Sequence, residues 1–186
     1  MFLEYLQTAI QNSFPKALSE FADLIQSAKL PPIELLSDTL INELDQITED
    51  CVLVLDDYHL INNDNIHYII DSWLQFPPSH VHLVISTRRD PPLKLNKLRL
   101  HNRINEIRTV DLGFSLNEIT SLFEKSQNVN LELPIAMTLE HKTEGWITAL
   151  RLISLSYDDW KDNINILNNY VDDTFSLTEY LVEEVV

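Results

Sequence analysis

A chain of 186 residues has room for one domain with a real core, or for a domain and part of another. With 45% hydrophobic and 23% charged residues it reads as a soluble globular protein, and no run approaches the roughly 20 apolar residues that span a bilayer. Thirteen basic against 29 acidic residues give a net charge of −16, which repels a phosphate backbone and argues against direct nucleic-acid binding.

The start, Met-Phe-Leu-Glu-Tyr, lacks a basic segment followed by an apolar one, so secretion is not expected. The single cysteine, Cys51, excludes an internal disulfide and fits a cytoplasmic protein. Glycine is scarce: Gly113 and Gly145 are the only two. Neither G-x-x-x-x-G-K-[ST] nor G-x-G-x-x-G can therefore occur, and the usual loop for cradling phosphates is missing.

Residues 1–49 read as helices. Phe2, Leu3, Leu6 and Ile10 share a face until Pro15 interrupts it. Leu18, Phe21, Ala22 and Ile25 continue as a short second helix. After Pro31-Pro32, the residues Leu36, Leu40, Ile41, Leu44 and Ile47 form the apolar stripe of a third.

Val52-Leu-Val-Leu55 is an unbroken apolar run, the pattern of a parallel strand buried on both faces. It ends in Asp56 and Asp57. Ligands collect at the carboxyl ends of strands in open α/β sheets, and a carboxylate pair there can hold magnesium through water and polarise an attacking water. An ordinary solvated Asp-Asp turn is the other reading. Ile66, Ile69, Ile70, Trp73 and Leu74 follow helical spacing up to Pro77-Pro78, with Trp73 as core.

Val81 to Ser86 reads as a second buried strand, followed by Thr87, Arg88 and Arg89. The resulting βαβ unit puts both strand ends on one edge, where Asp56, Asp57 and Arg88 could surround one phosphate. Alternatively, Arg88 pairs with Asp57 or Asp90 in a loop. Basic residues cluster over this region, at Arg88, Arg89, Lys94, Lys97, Arg99, Arg103 and Arg108.

Leu93–Leu100 is short and helical, with Leu95 and Leu98 inward, and Glu106–Val110 is expected as a third, edge strand. Ser115-Leu-Asn-Glu118 is a capping box opening a helix with Ile119, Leu122 and Phe123 on its core face. Pro134 opens another helix, and Ile147, Leu150, Ile153 and Ser154 face inward on the next. Residues 163–186 read as helical with a polar break near Asp172-Asp173, leaving Leu181, Val182, Val185 and Val186 without an obvious partner.

Taken in order, VLVLDDYHLI, LVISTRRDPPL with LRL nearby, EIR-x-x-DLGFS and TEGW-x-x-x-LRL resemble the nucleotide switch of MalT-like, LuxR-type transcriptional regulators, which belong to the STAND class of P-loop ATPases. The resemblance runs through nearly the whole chain. It implies an α/β fold: a partial P-loop NTPase with a parallel three-strand core over residues 1–112, then an all-helical lid over 113–186.

By that resemblance Asp56 is the Walker B carboxylate that orders magnesium through water, and Asp57 the second acidic residue, which activates the attacking water. Arg88 is the sensor of the γ-phosphate. Gly145 and Trp146 correspond to the lid motif beside the nucleotide, although Ile147 stands where the family usually has Pro, and Trp146 could equally pack the lid. ATP, ADP and magnesium are implied for a full-length parent that hydrolyses ATP slowly. The present chain, without a P-loop, is expected to bind none of them alone and to be inactive.

The family's Walker A segment, sensor repeats and helix-turn-helix domain have no counterpart here, so a fragment, a split protein or a piece of a larger regulator is expected. In the family's topology the Walker A strand lies between those expected at 81–86 and 106–110, so its loss leaves unpaired backbone in mid-sheet. Expected partners are thus the nucleotide in the parent, the remainder of the regulator, or further copies of the chain. A different class is a non-enzymatic interaction module pairing through open sheet edges. A phosphatase or nuclease using Asp56, Asp57 and His59 on a metal has no further ligand cluster to support it.

Overall fold

Pro15 and the Pro31-Pro32 pair divide the beginning of the chain into three helices, α1 (Phe2–Ser13), α2 (Ser19–Ile25) and α3 (Ile33–Leu44). Strand β1 (Cys51–Leu55), a 3-10 turn (Tyr58–Leu60), α4 (Asp64–Gln75), β2 (Val81–Ile85) and α5 (Asn96–Leu100) follow. Then come α6 (Thr109–Leu112), α7 (Leu116–Gln127), α8 (Leu133–Thr143), α9 (Ile147–Leu155) and α10 (Tyr157–Trp160). The computed structural model describes residues 1–161. The expectations for 163–186 lie outside them.

Two compact units result, Met1–Ile104 and a second beginning at Asn105. No described helix is long and apolar enough to cross a membrane.

In the first unit β1 and β2 pair in parallel, in register from Cys51 opposite Val81 to Leu55 opposite Ile85. Two strands alone are marginal in water. Here α3 and α4 pack together over one sheet face, enclosing Leu36, Leu40, Leu44, Ile69, Ile70 and Trp73 with Leu53 and Leu83. Burying each such side chain stabilises by about 1.5–3 kcal/mol. Asn63 opens α4, its side-chain oxygen accepting from the N–H groups of Asn65 and Ile66 at 3.0 and 3.3 Å.

α2 is capped from a distance. Leu18, just before it, is left-handed at φ 58° and offers no capping oxygen. Glu43 supplies the acceptors instead, taking the N–H groups of Glu20 and Phe21 at 3.1 and 2.8 Å. A carboxylate there also meets the positive end of the helix.

Two expectations are corrected. The strand at 51–55 is not buried on both faces: Val52 and Val54 are 61% and 57% exposed, and Val84 beside them is also open. Both covering helices lie on the other face, so the apolar run gives a strand but not a second covering layer.

Nor does Glu106–Val110 form a third strand, so the sheet has two strands among the described residues. Residues 104–108 are irregular and Thr109–Leu112 is one helical turn, opened by the Arg108 N–H donating to Asp111 Oδ2 at 2.7 Å. A strand exists only beside a partner ladder. This segment has none, and Ile107 and Val110 stand 74% and 84% exposed.

The second unit packs Ile119, Phe123, Leu139, Leu150, Ile153 and Trp160 together. Trp160, which periodicity did not mark as core, donates Nε1–H to the Ile153 carbonyl at 3.0 Å and meets Phe123 and Tyr157 edge-on. The Ser115-Glu118 box forms, with the serine N–H and hydroxyl donating to Glu118 Oε2 at 2.9 and 2.7 Å. On α9, Ala149 is buried where Ile147 was expected, and Ile147 itself is 37% exposed.

Candidate functional site at the carboxyl ends of the strands

The parallel register brings the ends of β1 and β2 to one edge, and two backbone bonds hold them there. Ser86 N–H donates to the Leu55 carbonyl and Tyr58 N–H to the Ser86 carbonyl, each at 2.9 Å. Asp56 and Asp57 leave β1, and Arg88 leaves β2, from this tied edge. The sheet thus collects the predicted strand-end residues on one side, and all three are exposed.

The turn between the aspartates and α4 is held by local bonds. Asp57 is left-handed at φ 49°, a conformation aspartate tolerates better than most residues, and its N–H donates to Asp56 Oδ1 at 3.0 Å. The Leu60 N–H returns to the Asp57 carbonyl at 2.9 Å.

Tyr58 is fully buried, and its hydroxyl meets His67 Nδ1 at 2.9 Å. Burial, and secondarily the charge of Asp71, push the Tyr58 hydroxyl far above its ordinary value. It therefore stays protonated and able to donate to His67.

His59 lies under the same turn. Its Nδ1 is 3.8 Å from Asp57 Oδ1, and it is buried without a hydrogen-bond partner among the described residues. From the β2 side, Arg89 Nη2 donates to the His59 carbonyl at 3.5 Å.

Chemically, this edge offers two solvated carboxylates beside exposed guanidinium groups. No three metal-binding side chains gather among the described residues; a carboxylate pair could still meet a hard cation through one oxygen while the cation keeps most of its water. That is how magnesium is commonly held when phosphates complete its shell. Asp56 is the residue that would hold it, and the cation would neutralise phosphate charge.

Gly145 and Trp146 sit in the second unit, at the turn between α8 and α9. Glu144 and Gly145 are consecutive left-handed residues, at φ 49° and 74°. Phe114 N–H donates to the Gly145 carbonyl at 2.8 Å, and a Cβ on Gly113 would lie 2.8 Å from the Glu144 carbonyl oxygen. Each of the chain's glycines is thus explained by one crossing of two loops. Trp146 is half-buried and precedes α9, its N–H donating to the Thr143 carbonyl at 2.8 Å.

An open cleft of about 610 Å³ lies by the 13–19 turn and the end of α3, lined by Phe14, Lys16, Glu43, Ile47 and Glu49. It adjoins the start of β1 rather than its carboxyl end, and Glu43 there is committed to α2.

Sequence reasoning placed the aspartates and Arg88 at this edge but passed over the Tyr58–His67 bond and considered His59 only as a possible metal ligand. The first joins positions nine apart with no periodic signature, and the second depends on how the turn folds back on itself.

No protein-family model matches the chain. Among curated proteins it is similar to the HTH-type transcriptional regulator MalT of Vibrio parahaemolyticus, 29% identical over 191 residues, covering 99% of this chain and 21% of that protein. The Vibrio campbellii protein of the same name is 30% identical with the same coverage. The Yersinia enterocolitica one is 34% identical over 155 residues, 83% of this chain and 17% of that protein. The chain therefore spans about a fifth of the length of the curated relatives it matches. Over most of its length the chain is thus homologous to a segment of curated transcriptional regulators named MalT.

Proposed function

We propose that this chain is the Walker-B-to-lid portion of the ATP-binding switch of a MalT-like transcriptional regulator. The observation that carries the reading is the parallel register, which sends Asp56 and Asp57 out of the same sheet edge as Arg88. Asp56 orders magnesium through water, Asp57 orients the attacking water, and Arg88 offsets charge on the γ-phosphate. Residues 113 onward act as the lid, through the turn at Gly145 and Trp146. Two states are biased by the γ-phosphate, and slow hydrolysis resets them.

The test uses the full-length protein with Arg88→Ala. ADP affinity stays within about twofold, while ATP-dependent assembly weakens by tenfold or more, on the order of one lost charge-assisted contact. An equal fall in ADP and ATP affinity, measured by calorimetry, would overturn the sensor assignment.

A second reading has its own support. The exposed valine face, and sheet edges that no strand pairs among the described residues, suit a non-enzymatic module that pairs with another polypeptide. Calorimetry of the 186-residue chain with magnesium-ATP separates the two. No binding to the chain alone, with tight binding by the full-length protein, supports the switch. No binding by either supports the module.

A further inference from the structure

We propose that His59 is a positioning residue for Asp57, donating from Nδ1 to its carboxylate. The inference rests on the nucleotide-switch reading and deepens it. Its starting point is an orphan. The His59 side chain is 11% exposed, and Nδ1 has no hydrogen-bond partner among the described residues. Buried polar atoms are almost always paired, so an unpaired one calls for an explanation. The atom it faces is Asp57 Oδ1, at 3.8 Å. A charge-assisted hydrogen bond needs about 2.8 Å, so side-chain rotation of about 1 Å closes it.

The backbone around the pair is held from several sides, which leaves the side chains as the parts free to move. Tyr58 is buried between the two residues, its N–H on the Ser86 carbonyl and its hydroxyl on His67, each at 2.9 Å. The Ile61 N–H returns to the Tyr58 carbonyl at 3.0 Å, and Arg89 holds the His59 carbonyl from β2. Asp57, by contrast, has a side chain 56% exposed and able to turn in solvent.

A carboxylate only accepts, so the proton must sit on Nδ1 and Nε2 must carry the lone pair. With one oxygen engaged by His59, the other is aimed, which is what a water-orienting carboxylate requires. If His59 merely filled space under the turn, its nitrogen would not matter.

Two measurements test this. The first uses the nucleotide-free chain and needs no change at His59: long-range proton–nitrogen correlation spectra of the histidine side chains. His59 is expected with its proton on Nδ1, and Asp57→Gly, which keeps the left-handed turn, should return it to the Nε2–H form that free imidazole prefers. An Nε2–H ring in the unsubstituted chain overturns the proposal.

The second uses the full-length protein and its ATP turnover. His59→Leu should lower kcat about tenfold with KM unchanged, the size usual for an orienting partner, while His59→Asn, whose amide stands near the Nδ1 position, stays within about threefold. On an Asp57→Gly background His59→Leu should cost nothing further. Equal losses in the Leu and Asn variants sink the proposal but leave the nucleotide reading intact. If Asp57→Gly itself leaves turnover unchanged, both fall.

Discussion

The hydroxyl of Tyr58 and Nδ1 of His67 meet at 2.9 Å inside the first core, tying the turn that carries Asp56 and Asp57 to α4. Tyr58→Phe keeps the ring packing and strands His67 without its partner. The expected loss is about 1–3 kcal/mol, the cost of an unsatisfied buried polar group, read from chemical denaturation of the chain. A loss below about 0.5 kcal/mol would mean that His67 finds another partner and that the turn does not depend on the bond. Cys51 also behaves as a packed residue. Burial, with Asp50 adding, raises its thiol, so it stays neutral at the start of β1.

At the scale of an element, α7 shows how a local signal read in sequence becomes a pH-dependent property. The Ser115 hydroxyl and N–H both donate to Glu118, holding its carboxyl below the ordinary value. A lowered folded value means that the contribution is complete above the unfolded-chain value. It is lost as pH falls through the lower, folded one. Melting the chain and its Glu118→Gln variant side by side between neutral and acid pH should show the gap between them closing as Glu118 protonates. A gap that stays constant would mean that the carboxylate is not what holds the cap. Elsewhere an element starts by means no local pattern announces: α2 relies on Glu43, which arrives from α3.

For the molecule as a whole, the decisive feature is the one-sided sheet of the first unit. Leu53 faces the packed helices and Val54 faces out, although the two are neighbours in an apolar run. Leu53→Lys should therefore cost about 2–5 kcal/mol, whereas Val54→Lys should stay within about 0.5 kcal/mol and reduce any self-association through the open face. Denaturant melts and sedimentation of the two variants check this. Comparable losses would show that something covers the valine face in solution.

Much of this was legible in the residues alone. The three leading helices, the strands at 51–55 and 81–85 and the Ser115 cap follow from periodicity, proline and capping chemistry, which act over a few residues and therefore leave a local signature. The placement of Asp56, Asp57 and Arg88 on one edge also followed, because a βαβ crossover has nearly fixed handedness and direction. Their roles were implied by family resemblance, not by the pattern itself.

Tertiary structure alone decided the rest. Whether Glu106–Val110 could be a strand, which face of β1 is covered, where α2 finds its cap and which atom His59 faces all depend on neighbours distant in sequence. A hydrogen-bond ladder, a buried face and a paired polar atom each need a second party, and no single stretch of chain specifies one.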